Sequence, residues 1–356
     1  MARNAPTCEC DGPPSDPSPL TSLDALETTP QPDTPTEIYL SRLPALTPVQ
    51  AFRHSGWATR RAATWTALLL AQVGRSREDR YAECGSIAWV MAAADGSPQY
   101  RIATNRCRDR FCEACAGERR RQVARNLHHW LQARHPIGSF RPGQYPVRFL
   151  TLTLKSSEAP LAETISRLCN CFNRLRRRRP FTDLISGGLM FLEIKRGRSS
   201  GLWHPHLHVL VEGKYIPQKL LSDHWLAITG DSFIVHVEAL SSPAKAVSYV
   251  AKYSGKALDA SVWRNSDHLV EAIKALAGRR SFQTFGDWKS LDLSKDLSAH
   301  IQWVAIASLG EILAAEKAHD LDACRIMRHL RGEPIHAPND LDRGPPPLST
   351  LSDLPD

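Results

Sequence analysis

The sequence predicts an α+β fold: a central antiparallel sheet of split β-α-β arrangement with flanking helices on one face. Three observations carry that expectation. Strand-like and helix-like segments follow one another as β-α-β-β-α-β-α between residues 147 and 256. The two middle strands, 188–197 and 204–211, are separated by a short Ser-Ser-Gly turn and so form a hairpin. Upstream, RCRDRFCEACAGERRRQ (106–122) adds a small Cys-rich zinc-binding segment.

The elements follow in order. VRFLTLTL (147–154) is β-rich and stops at a polar SSEAP turn. Leu161, Ile165, Leu168, Phe172 and Leu175 then recur at helical spacing, closing on Arg176–Arg179 and Pro180. GLMFLEIKRG (188–197) and HPHLHVLV (204–211) are the hairpin strands. PQKLLSDHWLAI (217–228) is helical, with Pro at its start and Gly230 after its end. SFIVHVE (232–238) is a strand, and residues 241–256 are a helix with Ser242 as cap, Pro243 in the first turn and Gly255 as the stop. Residues 268–291 hold another helix and a Gly-Arg-Arg turn, and 298–331 read as a long helix, a candidate partner or dimer surface. This divides the 356 residues into a disordered acidic Pro-rich tail (1–40), a helical N-terminal region with the Cys cluster (41–140), a core (141–295), a C-terminal helix (296–333) and a second disordered tail (334–356).

Charge is unevenly spread. The formal net charge is +8, but residues 1–37 carry −6 and 336–356 carry −3, leaving +17 for the body between them. A body that basic points to a polyanion such as nucleic acid or an anionic membrane surface. No run approaches the roughly 18 apolar residues of a membrane span, and the acidic N-terminus is unlike a secretory signal. The expectation is a cytosolic protein without a membrane partner, in which nine cysteines serve as metal ligands or core residues instead of disulfides.

Two constellations carry chemistry. Alternate side chains of a strand share a face, so His206 and His208 project together, about 7 Å apart along the chain, with His204 beside them. Two imidazoles can hold a divalent ion, Mg²⁺ or Mn²⁺, but do not fill its shell. Glu193, across the hairpin, is the natural third ligand. In Tyr249-Val-Ala-Lys252-Tyr253 the two phenols lie one helical turn apart on one face. A phenol near pKa 10 is a weak nucleophile unless a cation helps, and Lys252 lies close by. Together the two fit phosphoryl transfer to tyrosine.

A third group is Cys107-x4-Cys112-x2-Cys115 with Cys84 upstream, a set suited to tetrahedral thiolate zinc, although the fourth ligand could instead be a histidine. Arg119, Arg120 and Arg121 open the helix behind it. Arg176, Arg177, Arg178 and Arg179 form a second basic cluster. Both are candidate phosphate contacts. Cys8/Cys10 and Cys169/Cys171 are incidental.

FLTLT (149–153), HPHLHVL (204–210) and YVAKY (249–253), in that order, resemble the HUH endonucleases, and most of all the rolling-circle replication initiators (Rep) of bacterial plasmids, with related phage proteins. The resemblance covers roughly residues 80–290. It implies that His206 and His208 are the metal-binding pair, that Tyr253 is the nicking tyrosine, and that the Cys-rich segment precedes the catalytic core. The implied activity is metal-dependent nicking and joining of single-stranded or hairpin origin DNA through a 5′-phosphotyrosine. One departure stands out: Tyr249 occupies the place where many plasmid initiators carry Glu, as in two-tyrosine phage initiators and transposases. The absence of a Gly-x4-Gly-Lys-Ser/Thr loop predicts no ATPase or helicase activity, so a host helicase and polymerase are expected partners. The competing readings are a two-tyrosine transposase and a non-catalytic, zinc-stabilised DNA-binding regulator.

Overall fold

A computed structural model describes residues 45–332, apart from 55, 137, 141–143, 198–199, 254–257, 259 and 298–299. Both expected tails, with Cys8 and Cys10, and the Gly255 helix stop lie outside the described residues.

The core is a five-stranded antiparallel sheet. Its strands are β3 (Val147–Thr153), β4 (Ile185–Arg196), β5 (Trp203–Gly213), β6 (Val235–Ala239) and β7 (Phe282–Gly286), in the spatial order β6-β3-β5-β4-β7. The β4–β5 hairpin has the expected pairing, with Glu193 opposite His206 and Phe191 opposite His208. The fifth strand was not expected: residues 282–286 follow the helix at 266–275 and pair with β4.

Helices cover both faces of the sheet, where one was expected. On the first face lie α5 (Leu161–Leu175) and α7 (Gln218–Thr229). Their apolar stripes, Ile165, Leu168 and Phe172 from α5 with Leu221 and Trp225 from α7, pack against Leu150, Leu152, Leu192, Leu207 and Val209. On the other, α4 (Glu113–Arg134) and α8 (Pro243–Tyr253) set Val123, Leu127, Leu131, Ala246 and Val250 against Phe149, Leu189, Phe191 and Leu210. The reason is legible in the strands, which run through nearly continuous apolar residues instead of strict alternation, the mark of burial on both sides. Gly230 ends α7 in the left-handed conformation at φ 82°. Ser242 caps α8, its hydroxyl accepting from the Lys245 amide.

The N-terminal region is not wholly helical. After α1 (Pro48–His54), α2 (Ala58–Leu70) and α3 (Arg75–Ala82) come two strands, β1 (Ala88–Ala93) and β2 (Tyr100–Thr104). The segment expected as one long helix instead supplies β8 (Trp303–Ser308), which pairs with β1, followed by α11 (Leu309–Lys317) and α12 (Leu321–Arg331). The β-rich WVAIAS run takes the strand. Ser308 and Glu311 then form a capping box that starts α11, and His319 at φ 62° with Asp320 as the next cap separates the two helices. Between α5 and β4 lies α6 (Arg179–Leu184); α9 (Ala260–Trp263) and α10 (Ser266–Ala275) connect α8 to β7. Among the described residues no helix is long and apolar enough to cross a membrane.

Gly188 lets β7 and β5 close on β4. A Cβ there would lie 2.2 Å from the Leu210 carbonyl oxygen and 2.8 Å from the Phe285 ring. Gly188→Ala is therefore expected to destabilise the fold by about 1–3 kcal/mol through overpacking. Urea midpoints compared at equal slope check this, and an unchanged midpoint would contradict the packing described.

Candidate functional site

The histidine row rises from the exposed end of the face that α4 and α8 cover. Each imidazole meets a hydroxyl from the chain beside it: Thr151 Oγ1 lies 3.2 Å from His208 Nδ1, Thr153 Oγ1 3.0 Å from His206 Nδ1, and Ser156 Oγ 2.9 Å from His204 Nδ1. The strand register produces this, since Thr151 and Thr153 stand opposite His208 and His206. A hydroxyl on each Nδ1 fixes ring orientation and leaves Nε2 as the second ring nitrogen, which in His208 faces Glu193. Burial, with His204 and Lys195 nearby, pushes His206 down to about 3. Its imidazole is thus neutral at ordinary pH, with a lone pair free to ligate.

Glu193 is 1% exposed. Its Oε2 lies 2.8 Å from His208 Nε2 and 3.1 Å from Lys195 Nζ. Burial opposes its ionisation, but the hydrogen bond from His208 and the Lys195 ammonium together outweigh that and hold its pKa below the usual carboxylate value. The His206 and His208 rings lie nearly parallel, 24° apart, with centroids 6.1 Å from each other. Glu193, His206 and His208 thus share one corner and offer the nitrogen and oxygen donors a divalent ion takes. They do not close to common ligand distance: among the described residues only the cysteine quartet brings three or more such atoms within 4.8 Å of one another. Glu193 and His208 already meet at 2.8 Å, so ligation by all three needs a side-chain rotation that brings His206 to them.

The tyrosine helix lies on this same face. The Tyr249 ring stacks on Phe149 with centroids 4.1 Å apart, and Phe149 stacks on His208 at 5.4 Å. The Tyr249 hydroxyl donates to Glu238 of β6, and Lys245 Nζ lies 5.5 Å over its ring. Lys252 and Tyr253 belong to α8, but their side chains lie outside the described residues. The residues that sequence reasoning missed are Thr151, Thr153, Ser156, Lys195, Phe149 and Glu238. The alternation of Thr151 and Thr153 in FLTLT, matching that of the histidines, was the available signal; Glu238 had none, because its pairing depends on β6 lying beside β3.

The four cysteines converge as expected. Cys84 Sγ lies 3.5 Å from Cys115 Sγ and 3.8 Å from Cys112 Sγ, and Cys107 Sγ lies 3.7 Å from Cys115 Sγ. A tetrahedral zinc with bonds of about 2.3 Å separates its sulfurs by about 3.8 Å, so the buried quartet has the geometry of a metal chelate. Cys112 stands at the N-cap position of α4 and Cys115 sits in its first turn, where the positive end of the helix favours thiolate. Arg53 Nη2 lies 3.4 Å from Cys115 Sγ, and the Asp109 amide nitrogen lies 3.4 Å from Cys107 Sγ.

Comparison with known proteins fits this layout. A family model described as "Replication protein" (Rep_1) matches residues 100–303. The chain belongs to this family, the plasmid Rep proteins of the HUH superfamily. It is 27% identical over 219 residues to "Protein rep" of Staphylococcus aureus, a match covering 57% of the chain and 89% of that relative. It is 24% identical over 208 residues to "Protein rep" of Streptococcus pneumoniae serotype 2 (strain D39 / NCTC 7466), covering 55% of the chain and 60% of that relative, less than two thirds of its length. No solved structure matches. The Rep_1 region takes in the whole five-stranded sheet, the histidine row, α8 and three of the four cysteines, with Cys84 outside it.

Within this Rep fold the two arginine clusters differ. Arg119, Arg120 and Arg121 lie on the first turns of α4, beside the cysteines. Arg119 sits over the Phe282 ring at 4.9 Å, on the histidine face. Arg176–Arg179 lie at the end of α5, across the sheet from the histidines. The Arg176 guanidinium packs over Phe172 and Phe285, at 5.3 and 5.1 Å, and lies 2.5 Å from Asn173 Oδ1. Its surroundings are those of a packing residue. Cys169 and Cys171 lie on α5, away from the quartet.

Proposed function

We propose that this Rep protein initiates plasmid rolling-circle replication by cutting and rejoining single-stranded origin DNA through a 5′-phosphotyrosine. The observation that carries this reading is the stack from Tyr249 through Phe149 to His208, which ties the tyrosine helix to the histidine row on one face. His206, His208 and Glu193 are the proposed ligands of Mg²⁺ or Mn²⁺. Such an ion, when bound, would polarise the scissile phosphodiester and neutralise charge developing on its oxygens.

The chain's own residues do the rest. Thr151 and Thr153 fix the imidazole rings through Nδ1, which leaves Nε2 as the ligating atom. The Tyr253 phenol oxygen attacks phosphorus in line; the P–O3′ bond breaks, the phenol proton ends on the released 3′ oxygen, and the 5′ phosphate stays on the tyrosine. Lys252 favours the phenolate. The phosphotyrosine keeps the energy of the broken link, so a 3′-hydroxyl can reverse the step without an external energy source. Tyr249 is the second nucleophile, and Glu238, which accepts its hydroxyl hydrogen bond, is the base that would take its proton.

The test is incubation of the protein with single-stranded origin DNA and Mn²⁺ or Mg²⁺. A covalent protein–DNA band that forms only when Mn²⁺ or Mg²⁺ is added is expected. A shift without covalent linkage under all metal conditions would leave the DNA-binding regulator as the better description.

A further inference from the structure

Beside the histidine face lies a groove of about 1490 Å³, walled by β2, the cysteine loop, the first turns of α4, β7 and residues 289–294. Its lining is strongly basic. Asp109 and Glu118, two of its acids, are already committed: Asp109 pairs with Arg77 at 2.6 Å, and Glu118 with Arg53 and with Arg106 at 3.1 Å. Arg108, Arg119, Arg280 and Lys289 make no ion pair among the described residues, and all four are exposed. Phe282, with Arg119 over its ring, stands at one side of the groove. It pairs across β7–β4 with Phe191, which pairs across β4–β5 with His208. Two strand spacings of about 4.8 Å place the groove roughly 10 Å from the histidine row.

We infer that this groove holds the phosphates of the single-stranded DNA arm that leaves the histidine site. Unpaired cations around an aromatic residue match how proteins track single strands without reading bases. A cleft of this volume accepts a few nucleotides of one strand. The cysteine quartet gains a role from this: it fixes the loop carrying Arg108 and the helix start carrying Arg119, so the structural metal centre shapes a DNA-binding wall. Arg108 itself has φ 55°, a left-handed conformation imposed next to Cys107. The inference rests on the strand-transfer reading above.

The experiment uses the full chain with the triple substitution Arg108→Asn, Arg280→Ala and Lys289→Ala, Asn being chosen because it tolerates positive φ. Binding to a single-stranded oligothymidylate of about 30 nucleotides and to a duplex of equal length is measured across salt concentration. Each lost phosphate contact lowers the single-strand log–log salt slope by about 0.7, so a fall of about 2 is expected, with at least a roughly tenfold loss of single-strand affinity and a smaller loss for duplex. An unchanged slope would overturn the groove assignment, and an equal loss for duplex would overturn its single-strand character. If the triple variant melts early, Lys289→Ala alone, remote from the cysteines, must still lower the slope by about 0.7. Covalent adduct formation by the unsubstituted protein is scored separately. Its absence would sink strand transfer, while the salt slope would still decide whether the groove binds DNA.

Discussion

Tyr253→Phe is expected to abolish the covalent protein–DNA adduct, with at least about a thousandfold loss of nicking, while single-strand affinity changes less than about twofold. Removing one oxygen leaves the aromatic ring, the helix and the basic surface in place, but position 253 keeps no oxygen to take the phosphoryl group. Tyr249→Phe should behave differently. Its ring stacks on Phe149 whatever its substituent, so α8 keeps its seat on the sheet. It loses the hydrogen bond to Glu238, a cost of about 1.5–3 kcal/mol for a charged acceptor. First cleavage should therefore persist, with the defect in the later joining step. Mass spectrometry of the peptide left on nicked DNA names the nucleophile. A Tyr253→Phe protein giving normal adduct yield on Tyr249 would exchange the two roles.

Stripping a metal held by the cysteine quartet is expected to be as damaging to stability as Tyr253→Phe is to chemistry. The thiols join the end of α3, the loop after β2 and the start of α4, and they sit in the main core beside Tyr81, Phe111 and Leu68. Structural zinc supplies about 10–16 kcal/mol in small zinc modules, comparable with the whole stability of a typical domain, about 5–15 kcal/mol. Cys112→Ser, or treatment with a strong chelator, is therefore expected to unfold at least this part of the molecule and to lower the melting temperature by tens of degrees. The same substitution should abolish stoichiometric metal, about one zinc per chain by elemental analysis. Cys169→Ser should leave both values unchanged. A Cys112→Ser protein that melts normally would show that the four thiols pack as plain core residues.

Local pattern was a good guide wherever local forces decide the outcome. The stripe from Leu161 to Leu175, the Gly230 stop and the Ser242 cap depend on neighbours a few residues away, and the helices form where these signals stand. The long C-terminal helix failed for a different reason. Trp303 to Ser308 become a strand because β1, more than two hundred residues earlier, offers them a partner, and no local periodicity encodes that meeting. The missed β7 is the same case.

By itself the sequence determined the antiparallel core, the shared face of His206 and His208 and the facing Glu193, because strand period and hairpin pairing are short-range rules. Only the tertiary structure decided that α8 lies over the histidine side, that Thr151 and Thr153 hold the imidazole rings, that Glu238 meets Tyr249, and that the cysteine loop and β7 enclose a basic groove. Those arrangements follow from which strands become neighbours and which apolar faces bury one another, and such choices are made by packing energy summed over the whole chain.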